Sequence, residues 1–257
     1  MSANRELKVL LCDMELAYAI YYAFPSKKPQ YLSSKQIKEY FFVPCAAWKW
    51  EHEVNAHVIT TMDDKKRFKK DHKDDYIIAV KLHQLFSEAD IIVAHNGDAF
   101  DIKHANTLFI KHGLGPVPES KSVDTLKMAR KYFAFAGNDL AHLCTRFKVT
   151  EKGERPDWMP LTEGCPKETR KTAKYCKQDV LSLEAVYLHL KPYIRRFPTL
   201  RRAADKITEC DYCKSKLLVN DGHGFNTQGV YQKVRCKECG GLHRSKTRFE
   251  HGKNSGN

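Results

Sequence analysis

Strand-like segments open this chain, and helix-like segments then alternate with short strands up to about residue 190. Segments rich in β-branched and aromatic residues lie at 7–12, 17–23 and 41–50, and a break containing proline, lysine and serine separates the last two. These three segments predict an antiparallel meander. Apolar residues at helical spacing begin only afterwards, at Ile77.

From that point the pattern alternates helix and strand. Helices are predicted from residue 77, at about 100–112, at 140–147 and from Pro166 to about 190, and strands at 91–95 and 122–126. A meander followed by alternating helices and strands is typical of an α/β fold, in which a mixed sheet carries helices on its faces. We therefore expect one α/β domain over residues 1–193.

Composition limits the classes of protein to which the chain can belong. Hydrophobic residues make up 42% of its 257 residues, enough for one domain of good size and a small module. No apolar run approaches the roughly 18 to 20 residues that span a bilayer, and the N-terminus has no signal-peptide core. Nine cysteines, an odd number, argue against a disulfide framework. We expect a cytoplasmic protein with no membrane partner.

Positive charge is concentrated in the C-terminal quarter. The net charge is +13: residues 194–257 hold 14 basic and 6 acidic residues, or +8, and residues 1–193 hold 30 and 25, or +5. This asymmetry favours nucleic acid as a partner, with a solvated basic surface as the alternative. The segment "RRFPTLRR" interrupts the periodic pattern and predicts a domain boundary between about 193 and 206. The final "HGKNSGN" is expected to be disordered.

Four acidic residues stand where α/β sheets tend to place their sites. Asp13 and Glu15 end an apolar run two positions apart, so in a strand both point to one face. Asp101 follows the predicted strand at 91–95, and Asp179 lies one helical turn after Tyr175 on the long helix. Because converging carboxylates repel one another, a cation is expected among them. Oxygen ligands of this kind suit Mg²⁺ or Mn²⁺.

Three short motifs, in order, give these acids a family resemblance. They are D-x-E at Asp13 and Glu15, H-N-x3-F-D ending at Asp101, and Y-x3-D at Tyr175 and Asp179. This ordered set resembles the exonuclease motifs of the DEDD superfamily, which has a ribonuclease H-like fold. Tyr175 is typical of the DEDDy branch, because the histidine of the other branch is replaced here by Lys174. The resemblance extends over roughly residues 7–190.

Asp98 competes with Asp101 as the acid of the second motif. The family acid follows the phenylalanine, which favours Asp101. Asp98 stands beside Gly97, a pair typical of turns.

The resemblance implies a 3′-to-5′ exonuclease that uses two Mg²⁺ or Mn²⁺ ions and releases nucleoside 5′-monophosphates. Asp13 would bridge both ions, Glu15 and Asp179 would complete the first ion's ligands, and Asp101 would hold the second ion. Tyr175 would orient the attacking water, because its ordinary pKa near 10 makes it a poor base.

Substrate contacts are expected from Asn96, beside the second motif, and from Phe100, for which a place in the core is the alternative. The chain looks most like stand-alone exonucleases that phages encode and that act in an infected bacterial cell, so DNA, with single-stranded 3′ ends, is the expected substrate. An exoribonuclease and a non-catalytic replication scaffold remain open as alternatives. Replication or repair proteins are the expected partners, and the sequence does not indicate an oligomeric state.

The basic C-terminal quarter holds a second motif, C-x2-C, 22 residues, C-x2-C. The spacing of Cys210, Cys213, Cys236 and Cys239 predicts one structural zinc ion held by four thiolates. Residues 206–257 are therefore predicted to form a small, β-rich zinc ribbon. Lysines and arginines cluster on it, which favours phosphate contact, and docking to another protein is the alternative.

Overall fold

The computed structural model describes residues 7–25, 31–149, 153–194, 207–226 and 229–244. Its strands are β1 (Val9–Glu15), β2 (Ile20–Tyr21), β3 (Ile37–Glu39), β4 (Cys45–Trp50), β5 (His57–Thr60), β6 (Ile91–Ala94), β7 (Lys121–Asp124), β8 (Leu218–Asn226), β9 (Gly229–Cys236) and β10 (Leu242–Arg244). Its α-helices are α1 (Lys65–Lys70), α2 (Tyr76–Glu88), α3 (Asp101–Lys111), α4 (Thr125–Tyr132), α5 (Leu140–Phe147), α6 (Trp158–Thr162) and α7 (Pro166–Leu190).

A five-stranded mixed sheet organises the first 194 residues. Its order is β5-β4-β1-β6-β7: β4 is antiparallel to both β5 and β1, whereas β1, β6 and β7 run parallel to one another. Helices cover both faces of this sheet. The predicted mixed α/β fold is confirmed, and the topology is consistent with a ribonuclease H-like fold.

The predicted strand at 17–23 is wrong as a member of this sheet. Only Ile20–Tyr21 is extended there, and it pairs with β3 in a separate two-stranded sheet. The meander instead gains its third strand at β5, which the sequence analysis missed because its His and Thr residues interrupt the apolar pattern. Aromatic residues at 17–23 suggested a strand of the meander, but the Tyr22 side chain there is 65% exposed.

Side chains along β1 point alternately into two hydrophobic cores, and this alternation determines which face carries Asp13 and Glu15. Leu10 and Cys12 face the core under α2 and α3, whereas Val9 and Leu11 face the core under α7. Because side chains alternate along a strand, Asp13 has the same parity as Val9 and Leu11 and lies on the α7 side. Glu15 follows on that side. The predicted common face of these two acids is therefore directed at α7.

Helix α7 is fastened to the sheet by buried polar pairs as well as by apolar packing. It begins at Pro166 as predicted, and its apolar side packs against β1 and β4. The Lys49 ammonium of β4, only 6% exposed, forms an ion pair with Glu184. Lys191, just past the helix, forms another with Glu51. Removing one partner of such a pair strands a buried charge.

The C-terminal segment forms a separate antiparallel sheet in the order β10-β9-β8. The Tyr212 hydroxyl donates to the carbonyl of Ile194, which packs in the core beneath α7. The predicted domain boundary falls largely on residues 195–206, and the predicted disordered tail on 251–257; both lie outside the described residues. Among helices of the described part, none has the length and apolarity needed to cross a membrane.

Candidate active site and cysteine cluster

Asp13 and Glu15, at the end of β1, lie next to helix α7. The Cys176 thiol of α7 lies 3.3 Å from Asp13 Oδ2 and 3.4 Å from the Asp13 carbonyl oxygen. One ligand atom each from Asp13, Glu15 and Cys176 fall within 4.8 Å of one another. These contacts place the acids of β1 directly against the helix that carries Tyr175 and Asp179.

Asp101 reaches the same place from another element. It is the first residue of α3, it is 2% exposed, and its Oδ1 accepts a 3.2 Å hydrogen bond from the backbone N–H of Met14. The turn before it is tight: a Cβ on Gly97 would lie 2.5 Å from the Cβ of Ala94. Glycine is therefore required for the chain to turn from β6 into α3.

Tyr175 and Asp179 lie on the buried side of α7, at 8% and 7% exposure. The backbone of Gly153 packs over the Tyr175 ring, where an added Cβ would lie 3.7 Å from Cδ2. Asp179 is close enough to Asp13 to act on its charge, as the pKa of Asp13 indicates.

Repulsion among these acids is visible in their protonation. Burial raises the pKa of Asp13 well above its usual range. The negative charges of Asp101, Glu15 and Asp179 raise it further, against a hydrogen bond from the Cys176 thiol. Burial, aided by the charge of Asp124, also raises the pKa of Asp101 to about 7. The donor set is thus four carboxylates, three of which raise the pKa of the fourth, Asp13, and its oxygens fit a hard divalent cation.

Asp98 belongs to a different group of side chains. Its carboxylate accepts a 2.6 Å hydrogen bond from Lys127 Nζ and another from the Ser122 hydroxyl. Burial opposes its ionisation, but these two bonds lower its pKa below the ordinary value. Its charge is therefore compensated locally. Of the two candidates only Asp101 contacts β1, in agreement with the preference for Asp101; its catalytic role stays a prediction.

Asp124 is a buried acid that the sequence analysis missed. It caps the N-terminus of α4 and accepts backbone N–H bonds from Leu126 and Lys127 at 3.0 and 3.2 Å. It also accepts those of Asn96 at 3.0 Å and Asp98 at 3.3 Å. One carboxylate thereby fixes the loop that precedes Asp101. An Asp directly before a helix is an N-cap signal, and it was available at "SVDTL".

The two predicted substrate residues lie on this same loop. Asn96 is half-buried and adopts φ +66°, a left-handed conformation that asparagine tolerates better than most residues. The Phe100 ring lies 4.5 Å from that of His104 and packs against the core under α2 and α3. The structure therefore gives Phe100 a packing role, and its contact with substrate stays a prediction.

The four predicted zinc ligands converge in the C-terminal sheet. Cys210 Sγ lies 3.5 Å from Cys239 Sγ, and Cys213 Sγ lies 3.6 Å from Cys236 Sγ. Tetrahedral zinc, with Zn–S bonds of about 2.3 Å, holds its sulfurs about 3.8 Å apart. All four sulfurs lie within 4.8 Å of one another, a cluster that is compatible with zinc.

Each cysteine pair sits in the same type of turn. Lys214 N–H donates to the carbonyl of Cys210 at 2.9 Å, and Gly240 N–H donates to that of Cys236 at 3.1 Å. Lys214 has φ +61° and Gly240 has φ +71°, so a left-handed residue closes both turns. Burial opposes ionisation of Cys236, but backbone N–H groups of Cys239 and Glu238 outweigh it and lower its pKa to about 7. A thiolate is the form that binds a metal.

A buried histidine lies next to the cysteine cluster. His243 is 5% exposed, its Nε2 lies 3.3 Å from Cys210 Sγ, and its Nδ1 lies 3.1 Å from an Asp211 carboxylate oxygen. It therefore bridges a carboxylate and a cysteine sulfur. Outer contacts of this kind orient metal ligands.

Part of the chain is similar to a known protein family. Residues 52–154 match the family model RNase_T, described as Exonuclease. This part of the chain is therefore similar to exonucleases. The matched span includes Asp101 and ends before Tyr175, so the roles of the individual acids stay predictions.

Two other proteins are similar to parts of this chain. The chain is 29% identical over 131 residues to a DNA polymerase III PolC-type of Ureaplasma parvum, covering 49% of this chain and 9% of that protein. In fold it is similar to the family B DNA polymerase of Pyrobaculum calidifontis, with a TM-score of 0.52 at 16% identity, over 74% of this chain and 25% of that one. The chain thus spans a small part of both relatives, and the second likeness concerns the fold alone.

Proposed function

We propose that the chain is a metal-dependent 3′-to-5′ exonuclease of the DEDDy type that hydrolyses DNA from single-stranded 3′ ends to nucleoside 5′-monophosphates. One observation carries the proposal: the charges of Glu15, Asp101 and Asp179 all act on Asp13, where β1 meets α3 and α7. Uncompensated buried acids cost stability unless a cation or a proton joins them.

Two Mg²⁺ or Mn²⁺ ions fit these oxygens. When bound, the ions lower the pKa of a water and stabilise charge on the phosphate and the leaving oxygen. Asp13 would contact both ions, Glu15 and Asp179 would hold one, and Asp101 would hold the other. Its hydrogen bond from Met14 fixes the direction in which Asp101 offers its second oxygen.

The remaining side chains orient groups around this cluster. The Cys176 thiol donates to Asp13 and so restricts the rotation of that carboxylate. Tyr175 is held by its packing against Gly153 and would position the attacking water through its hydroxyl. Exclusion of solvent by α7 strengthens every charge interaction in the site.

DNA is the proposed substrate because the PolC-type relative is, by name, a DNA polymerase. The 3′-to-5′ direction rests on the motif resemblance.

We propose the ribbon as a zinc-bound accessory site for nucleic acid, with replication or repair proteins as partners in the cytoplasm. The arrangement of the four sulfurs supports zinc, and the basic composition of the ribbon supports phosphate contact.

A time course with 5′-labelled single-stranded DNA and matching RNA, in Mg²⁺, Mn²⁺ or EDTA, tests this function. We expect a metal-dependent ladder that shortens from the 3′ end, faster on DNA, and lost in Asp13→Asn. Asp98→Asn is the matched control, because Asp98 is an acid of the same region that pairs with Lys127 instead. Faster cleavage of RNA would favour an exoribonuclease. Binding without any ladder would favour the non-catalytic scaffold.

A further inference from the structure

The chain between β1 and β4 carries an unusual number of exposed aromatic rings. We call its described residues 17–25 and 31–40, which contain the β2–β3 pair, the aromatic hairpin. In the described part of the chain, six of the seven exposed aromatic side chains belong to it: Tyr18, Tyr21, Tyr22, Phe24, Tyr31 and Tyr40. Phe24 is 84% and Tyr31 94% exposed. A cluster of apolar rings in water indicates a surface that receives a ligand.

The charge of the aromatic hairpin indicates which ligand. Its described residues hold two lysines, Lys35 and Lys38, and one acid, Glu39. Glu39 is engaged in an ion pair with Lys73, and the hydrogen bond from Lys73 lowers its pKa. No uncompensated negative charge is therefore present on its described residues. Aromatic rings interleaved with lysines are the composition with which proteins hold single-stranded nucleic acid.

The aromatic hairpin begins beside the acid cluster. Tyr18 is three residues from Glu15, so their Cα atoms lie at most about 11 Å apart. The base of the segment is held in place: Ala17 N–H donates to the Phe42 carbonyl at 2.9 Å, and Tyr18 N–H donates to Thr162 Oγ1 at 3.0 Å. A strand lying on these rings has its end within reach of the carboxylates.

We propose that the described residues of the aromatic hairpin form a stacking surface for the bases of single-stranded nucleic acid whose 3′ end lies at the acid cluster. This inference rests on the proposed exonuclease function and extends it from the reacting phosphate to the unpaired bases upstream of it. Stacking on rings tolerates every base, which suits an enzyme that removes nucleotides regardless of sequence. A paired duplex hides its base faces, so the surface discriminates single strands from duplexes.

The test is fluorescence anisotropy of labelled single-stranded DNA with the full-length protein in EDTA, where no hydrolysis occurs. We expect Tyr22→Ala with Phe24→Ala to weaken binding by about tenfold or more, since stacking contributes strongly for each base. Binding of a blunt duplex of equal length is expected to change much less. Tyr22→Phe keeps the ring and is expected to bind like the wild type.

A matched control separates this surface from any exposed ring. Tyr193 is 61% exposed and follows the far end of α7, and Tyr193→Ala is expected to leave affinity for the single strand unchanged. Lys35→Gln with Lys38→Gln is expected to reduce the slope of log affinity against log salt by about 1.4, because each phosphate contact on a single strand contributes about 0.7. Circular dichroism of each variant checks that it is folded.

Unchanged single-strand affinity in the Tyr22 and Phe24 double variant would overturn the inference. Equal losses on single strand and duplex would overturn it too, because stacking requires free base faces. An unchanged affinity together with a shift in molecular mass by light scattering would make the hairpin a protein interface instead. Failure of the proposed exonuclease function has a different outcome. The wild type would then produce no ladder in Mg²⁺, whereas weaker single-strand binding by the double variant in EDTA would still support the stacking surface.

Discussion

The backbone N–H of Met14 donates a 3.2 Å hydrogen bond to Oδ1 of Asp101. Met14 lies between the two acids of β1, so this bond sets the distance between the first motif and the start of α3. Two motifs separated by more than eighty residues in the chain are thereby held in one arrangement, independently of any bound ion.

Asp101 and Asp98 are expected to differ sharply in the effect of substitution. Asp101→Asn removes a charge from the cluster and is expected to lower kcat by at least about a hundredfold. Asp98→Asn removes a partly exposed pair with Lys127 and is expected to retain kcat within a few fold. Steady-state rates on a labelled oligonucleotide measure both. Loss of activity in Asp98→Asn with retention in Asp101→Asn would reverse the assignment.

The stability of the metal-free protein is expected to fall as pH rises from about 4 to about 7. Asp101 has a pKa of about 7 when folded and an ordinary value near 3.8 when unfolded, so in this window the folded state binds more protons. Stability then decreases with pH, by up to about 4 kcal/mol for one such group. Urea unfolding in EDTA at pH 5 and pH 8 measures the change.

Asp101→Asn provides the control for that pH dependence. The amide keeps an oxygen for the Met14 N–H but has no charge to lose, so the difference between pH 5 and pH 8 is expected to shrink. Mg²⁺ is expected to reduce the difference in the wild type by neutralising the carboxylates. A pH dependence that survives both the substitution and the addition of Mg²⁺ would contradict this origin.

The cluster is expected to be sensitive to soft metal ions. Cys176 places a sulfur next to the oxygens of Asp13 and Glu15, and thiolates select ions such as Cd²⁺ over Mg²⁺. Cd²⁺ is therefore expected to inhibit in the presence of excess Mg²⁺, with about tenfold less potency against Cys176→Ala. Cys144→Ala, in a separate core beneath α5, serves as the control and is expected to respond like the wild type.

Loss of the sulfur cluster is expected to unfold the ribbon while the main sheet stays folded. Cys213→Ser removes one of four ligands, and structural zinc supplies most of the folding free energy of small domains that hold it. Limited proteolysis with mass spectrometry is expected to show cleavage after about residue 206 and a resistant N-terminal fragment. Equal resistance of the variant and the wild type after chelation would show that the ribbon does not need the metal.

The Lys49–Glu184 pair supports a prediction on stability. Lys49→Ala leaves Glu184 without its partner between β4 and α7, and we expect a loss of about 3 kcal/mol in the free energy of unfolding. The double variant Lys49→Met with Glu184→Leu removes both charges and is expected to recover most of it. Chemical denaturation of the three proteins measures these differences, and equal losses in the single and double variants would contradict the explanation.

Helices with clear end signals could be predicted closely from the sequence. The prediction at 140–147 agrees with α5, whose Asp139 caps the N-terminus with a hydrogen bond from His142 N–H. Pro166 marks the start of α7, and its missing N–H is tolerated in the first turn. Both helices also bury a regular apolar side, so local signals and packing agree.

Residues whose roles depend on distant partners were predicted less well. The aromatic residues at 17–23 have high β-propensity, but propensity does not say whether a strand joins the main sheet or pairs in a separate one. Asp124 orders the loop before Asp101 through bonds to Asn96 and Asp98, which lie about thirty residues earlier. The position of His243 against Cys210 likewise depends on the pairing of β10 with β9.

Helix α7 separates the acid cluster from the ribbon by a fixed length. Asp179 lies eleven residues before the helix ends at Leu190, a rise of about 17 Å, and Tyr212 of the ribbon is bonded just beyond it to Ile194. Stacked nucleotides advance about 3.4 Å each along a strand. An oligonucleotide of stacked bases that is shorter than about five nucleotides therefore spans too little distance to engage the acids and the ribbon together. Below that length, removal of the ribbon should make no difference to turnover.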